Sequence, residues 1–310
     1  MFFLNSTKVA DVLESRFDRL VTPFSLVRLM ALFVCVCVLL IPNDYGVVAG
    51  ERILPNPPAV TAESAILVDL QTGGIIYGKN ADVRQYPAST TKVMTAVLAL
   101  EEGDNNRTVV VSPYAAWVEC TGLWAGHAMR EFDMIELMLL ESDNGAATAL
   151  GEAVGGSESA FVAMMNAKAR ELGMKDTHFE NCNGMPDANH YSTARDIAKV
   201  SAYAMKNELF RHIVASERII MPDWQNPGNT YEAENTNELL KSYPGCIGVK
   251  TGFTNAAGGC LVSAARRNGR ELLCVVLKSS DMDTRFSDSA ALLDYGFLCA
   301  ENGLAELPKN

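Results

Sequence analysis

The hydrophobic positions along the chain change period twice. Two short β-rich runs, SAILVDLQTG and GIIYGKN, meet at Gly73-Gly74, which predicts a hairpin over 64–80. Ala88 to Gly103 is rich in small and apolar residues and predicts a helix. From about residue 105 to 242 the pattern is mainly helical. Within it, REFDMIELMLLESDNGAATALGEAVG predicts two helices broken around Ser142–Gly145. In the next segment Phe161, Met164, Met165, Lys168 and Leu172 recur at helical spacing, which marks a core stripe rather than a cofactor contact. Thr193 and Asp196 stand at capping-box spacing before a further helix. Strand character returns in GCIGVKTG, GGCLVSAARRNG and RELLCVVLKS, and DTRFSDSAALLDYGFLCA predicts a closing helix.

With β-rich sequence at both ends and helices between, the expected class is α+β. One antiparallel sheet, built from both ends of the chain and flanked by helices, carries an all-helical lobe. The expected domain covers 62–300, with an α/β part at 62–104 and 243–300 and a helical part at 105–242. A proline-rich linker at 51–61 precedes it and a tail at 301–310 follows.

The first fifty residues follow another pattern. Leu29 to Ile41 is thirteen apolar residues without a charge, preceded by Arg16, Arg19 and Arg28 and followed by the small residues of VVAG. A basic flank, a short apolar run and a small-residue exit predict a secretory signal. The run is short for a membrane span, which needs about 20 residues. The stretch before it is long for a signal, so an uncleaved N-terminal anchor stays open, and with it membrane contact. Either way the rest works outside the cytoplasmic membrane.

The net charge is −11. That balance, with no Lys/Arg-rich run, excludes nucleic acid and simple attraction to an anionic surface. Beyond the leader stand Cys120, Cys182, Cys246, Cys260, Cys274 and Cys299, without a CxxC. Free thiols are expected, with a Cys246–Cys260 pairing across neighbouring strands as the alternative. His127, His178, His190 and His212 show no metal-ligand spacing, and neither metal nor cofactor is expected.

One cation is out of place. In YPASTTKVMTAVLALEEG, Lys92 follows Ser89 by one turn and is followed at once by Val93 and Met94. A serine hydroxyl needs a proton acceptor to become a nucleophile. A lysine serves only when neutral, and burial or a neighbouring cation lowers its pKa from about 10.4. Taken alone, S-x-x-K is equally a helix cap beside a surface lysine. Two more triplets follow it: SDN at Ser142–Asn144 in a helical break, and KTG at Lys250–Gly252 at a strand. S-x-x-K, S-D-N and K-T-G together are the set of class A β-lactamases and penicillin-binding proteins.

Five segments, YPASTTKVMTA, LMLLESDNGAATAL, GMPDANHYSTARDIA, GVKTGFTNAAGGCLVSA and RFSDSAALLDYGF, resemble the D-alanyl-D-alanine carboxypeptidases, in that family's order. These are low-molecular-mass penicillin-binding proteins, serine peptidases that trim peptidoglycan. The resemblance covers about residues 62 to 298 and implies a β-lactamase/transpeptidase-like fold. It implies Ser89 as nucleophile, Lys92 as general base and Ser142 as a proton relay. Asn144 lines the cleft, while Lys250 and Thr251 take the substrate carboxylate, assisted by Arg285. Gly252 lets backbone approach the ligand, and the N–H groups of Ser89 and Phe253 form the oxyanion hole. His190 is implied as structural. The implied substrates are stem peptides ending in D-Ala-D-Ala, with β-lactams as covalent inhibitors. Gly126-His127 departs from the family's common Gly-Glu, and Asp143 from its frequent glycine. Many members continue into a β-rich domain and an anchoring helix, whereas this sequence ends about a dozen residues after DYGF, which puts a C-terminal anchor in doubt.

Two enzymes with the same triplets are the alternatives. A DD-endopeptidase cutting cross-links shares all three. A class A β-lactamase needs a glutamate in an E-x-x-L-N motif, and no glutamate between Asn144 and Lys250 fits. A catalytically dead wall-binding module would not need Ser89, Lys92, Ser142, Asn144 and Lys250 together.

Overall fold

The computed structural model describes residues 55–223, 226 and 228–302. The predicted leader, the first residues of the linker and most of the tail lie outside the described residues. In chain order the strands are β1 (Ser64–Asp69), β2 (Ile75–Lys79), β3 (Thr108–Val110), β4 (Ala128–Arg130), β5 (Arg218–Pro222), β6 (Thr230–Glu234), β7 (Cys246–Thr254), β8 (Gly258–Arg267) and β9 (Arg270–Ser279). The helices are α1 (Lys92–Glu102), α2 (Glu131–Leu140), α3 (Asn144–Gly155), α4 (Glu158–Glu171), α5 (Ala194–Ala204), α6 (Glu208–Ala215), α7 (Leu239–Ser242) and α8 (Thr284–Glu301). None is long and apolar enough to cross a membrane among the described residues.

Both ends of the chain share one five-stranded antiparallel sheet, ordered β2-β1-β9-β8-β7. The period of two along β9 explains its unbroken apolar run. Leu273, Val275 and Leu277 belong to the core shared with α1 and the helical lobe. Leu272, Cys274 and Val276 belong to a second core with Leu292, Leu293 and Phe297 of α8. A strand covered on both faces has no polar side to show.

The helical middle departs from expectation in one respect. It holds two small hairpins, β3–β4 and β5–β6. Strands of three to five residues are too short to impose a readable period. The break between α2 and α3 falls where the sequence places it. Thr193 caps α5 by accepting from Asp196 N–H at 3.1 Å. The carboxylate of Asp196 does not complete the box, because it accepts from Asp176 N–H and Thr177 Oγ1 instead.

The six cysteines are free. Register explains why Cys246 and Cys260 do not meet: Cys246 lies opposite Ala265, and Cys260 opposite Gly252. The end of the predicted linker is anchored. Buried Asp288 of α8 accepts from Thr61 N–H, Thr61 Oγ1, Ala62 N–H and Ser279 Oγ at 2.7–2.9 Å. One carboxylate thereby fastens the start of β1, the end of β9 and α8. Asp288→Ala leaves buried donors unpaired and is expected to cost about 3 kcal/mol, read as a lower urea midpoint with an unchanged m-value.

Candidate active site

Ser89 lies in a short 3-10 turn, Ala88–Thr91, and α1 begins only at Lys92. The tighter winding helps, because side chains at i and i+3 eclipse in a 3-10 turn. The Lys92 N–H donates to the Ser89 carbonyl, which fixes the two residues one above the other. Lys92 Nζ stands 2.9 Å from Ser89 Oγ. Its side chain is fully buried, and every residue of α1 from Lys92 to Ala99 is buried with it. The misplaced cation is therefore an interior one.

Two more acceptors complete its surroundings. Lys92 Nζ donates to Asn144 Oδ1 and to the Asn183 carbonyl, each at 2.6 Å. Asn144 opens α3, whose first turn is capped by Asp143 accepting from Ala146 N–H at 2.7 Å. The same carboxylate accepts from Thr121 Oγ1 and Gly122 N–H, so it also ties down the loop beside it. Ser142 sits in the left-handed region at φ 65°, half-buried, next to this cap. Its hydroxyl makes no hydrogen bond among the described residues.

The serine turn is gripped from two sides by glycines. A Cβ on Gly184 would collide with the Ala88 carbonyl, and one on Gly252 would come within 3.0 Å of Ser89 N. Larger residues at either position would push the turn away. Behind the turn, buried His190 bonds Thr91 Oγ1 through Nε2 at 2.9 Å and accepts from Glu180 N–H through Nδ1 at 3.2 Å. That pairing puts the ring proton on Nε2. Burial lowers its pKa to about 4, so it is a neutral structural brace.

β7 is one of the two edge strands of the sheet and carries Lys250, Thr251 and Gly252 past the serine. Lys250 is 1% exposed, and its Nζ has no hydrogen-bond partner among the described residues. Thr251 Oγ1 pairs with Thr236 Oγ1 at 2.6 Å. Arg285, at the start of α8, donates to the Gly252 carbonyl at 2.9 Å. Phe253 follows on the strand with its ring partly exposed.

Burial dominates the electrostatics. It lowers the Lys92 pKa to about 7, against smaller upward pulls from Cys182, Asp143 and Cys120. It also drives Lys250 well below the usual lysine range, helped by the charges of Lys92 and Arg285. Repulsion between the lysines thus acts on Lys250, whereas the Lys92 shift is a matter of desolvation, which leads in both.

The structure thus gathers Ser89, Lys92 and Asn144 into one hydrogen-bonded group, with Lys250, Thr251, Gly252 and Arg285 on the adjoining strand and helix. Sequence reading missed Asn183, Gly184 and Thr236. Asn183 contributes a backbone carbonyl, which no side-chain pattern reveals. The Asn-Gly pair was the visible signal.

Residues 52–281 match the D-alanyl-D-alanine carboxypeptidase family. The chain is 37% identical over 256 residues to the carboxypeptidase DacB2 of Mycobacterium tuberculosis, covering 80% of this chain and 86% of that protein. It is 34% identical over 263 residues to the carboxypeptidase DacF of Bacillus subtilis, covering 83% and 67%. The crystal structure of the Streptomyces K15 DD-transpeptidase superposes with a TM-score of 0.75 at 31% identity, over 79% of this chain and all of that one. The buried lysine–serine pair, the sheet and the matched sequence agree: the chain belongs to the D-alanyl-D-alanine carboxypeptidase family.

Proposed function

We propose that the protein removes the terminal D-alanine from peptidoglycan stem peptides through an acyl-enzyme on Ser89. One observation carries this reading: a wholly buried amine with a pKa near 7 lies 2.9 Å from a serine hydroxyl, with no carboxylate bonded to it. A neutral amine has two N–H bonds and one lone pair. Asn144 Oδ1 and the Asn183 carbonyl can only accept, so they take the two N–H bonds. The lone pair is left for the Ser89 O–H.

Lys92 takes the proton as Ser89 Oγ attacks the carbonyl of the penultimate D-alanine. The N–H groups of Ser89 and Phe253 stabilise the resulting oxyanion, a contribution of about 3 kcal/mol for one such donor. The C–N bond then breaks, and D-alanine leaves with a proton returned by way of Lys92 and Ser142. Water hydrolyses the ester. Lys250 supports the choice of substrate. A buried, unpaired donor beside Thr251, with Arg285 near it, calls for an anion, and a C-terminal carboxylate supplies one. The substrate lies outside the cytoplasm, and the N-terminal leader is the proposed export signal, retained as a membrane anchor or cleaved.

Release of free D-alanine from a D-Ala-D-Ala pentapeptide tests the reading, and cleavage of cross-linked dimers measured alongside separates endopeptidase activity. Ser89→Ala should abolish both D-alanine release and labelling by a fluorescent penicillin, with an unchanged melting temperature. Lys92→Ala should slow penicillin acylation by about 10²–10⁴-fold; labelling at the normal rate would remove the lysine from its role. The acylation rate should rise with pH and reach half its plateau near pH 7, because the amine accepts a proton only when neutral. A flat profile between pH 6 and 9 contradicts that assignment.

A further inference from the structure

A groove of about 510 Å³ opens among three segments that each run into the catalytic cleft. Tyr86 lies three residues before Ser89. Asn189 and Tyr191 flank His190, the brace of the serine turn. Ala256 is in the turn between β7 and β8, just beyond Phe253. Arg84 and Lys278 complete the wall.

Direction along β7 says what reaches this groove. In the proposed function the substrate carboxylate sits at Lys250 and Thr251, and the scissile carbonyl at Phe253. The peptide therefore runs antiparallel to β7, with its upstream residues continuing past Thr254. An edge strand offers its free backbone groups to an added strand. Each residue advances about 3.3 Å, so the second residue upstream of the acylating D-alanine arrives near Ala256.

The wall chemistry there is cationic and aromatic. Arg84 is held to Asp176 at 2.9 Å and stacks over the Tyr191 ring at 4.3 Å. Lys278 is held to Glu63 at 3.0 Å. All four charged groups are exposed, and exposed ion pairs contribute little, so either cation can turn to a ligand carboxylate. Tyr86 is partly exposed and offers a ring and a hydroxyl to a peptide backbone.

We propose that this groove binds the donor peptide upstream of the scissile bond and selects a free carboxylate two residues before the acylating D-alanine, through Arg84 and Lys278. The inference rests on the carboxypeptidase reading and deepens it. The test compares two D-Ala-D-Ala pentapeptides, one with a free carboxylate at that position and one with the carboxylate amidated, beside a fluorescent penicillin that does not reach the groove. Wild-type enzyme should favour the free acid several-fold in kcat/KM. The double variant Arg84→Gln, Lys278→Gln should lose that preference and drop about tenfold on the acidic peptide, while penicillin acylation stays at the wild-type rate. Equal kcat/KM for both peptides in the wild type overturns the proposal. So does an equal loss on peptide and penicillin, which marks a general structural effect. Failure of penicillin to label wild-type Ser89 would instead strike the underlying function.

Discussion

The Lys92 amine is buried with only neutral groups bonded to it: a hydroxyl, a side-chain amide oxygen and a backbone carbonyl. A paired carboxylate would have kept it charged. Without one, desolvation decides, and the amine is poised between its two protonation states near neutral pH. The other features of the site follow from the need to hold that arrangement. Its three contacts come from the 3-10 turn, the first residue of α3 and the strap around residue 183, which lie far apart in sequence. Only a rigid scaffold keeps all three in place.

That rigidity is visible around the serine. Gly184 and Gly252 close on the turn from two sides, His190 braces Thr91, and Asp143 stitches α3 to the loop at Thr121 and Gly122. Lys250 differs from Lys92: its buried Nζ has no hydrogen-bond partner among the described residues, and neither has Nε of Arg285. That unpaired donor, close to the Arg285 guanidinium, leaves hydrogen-bonding capacity without an acceptor. The site thus combines a buried amine bonded only to neutral groups with an unpaired donor on the neighbouring strand.

Much of this was legible in the sequence. The three triplets named the side chains, and the strand-like ends foretold a sheet shared by both termini. What stayed hidden has physical reasons. Asn183 acts through its carbonyl, so its identity carries no signal. The hairpins at 108–130 and 218–234 are too short to show a period. The 3-10 turn has the same composition as a helix start, and only the packing of Gly184 against Ala88 distinguishes it. Desolvation, the leading cause of both lysine shifts, depends on depth, which no spacing reports.

The sheet order has a consequence for when the enzyme can work. β1 pairs with β9 from Ser64–Leu277 to Asp69–Leu272, about two hundred residues apart. A growing polypeptide that has emerged only as far as α6 already contains Ser89, Lys92, Asn144 and Asn183, yet has no cleft wall and no seat for a carboxylate. The site is therefore complete only once β7 to β9 have been made, and chains that stop short of them lack it by construction.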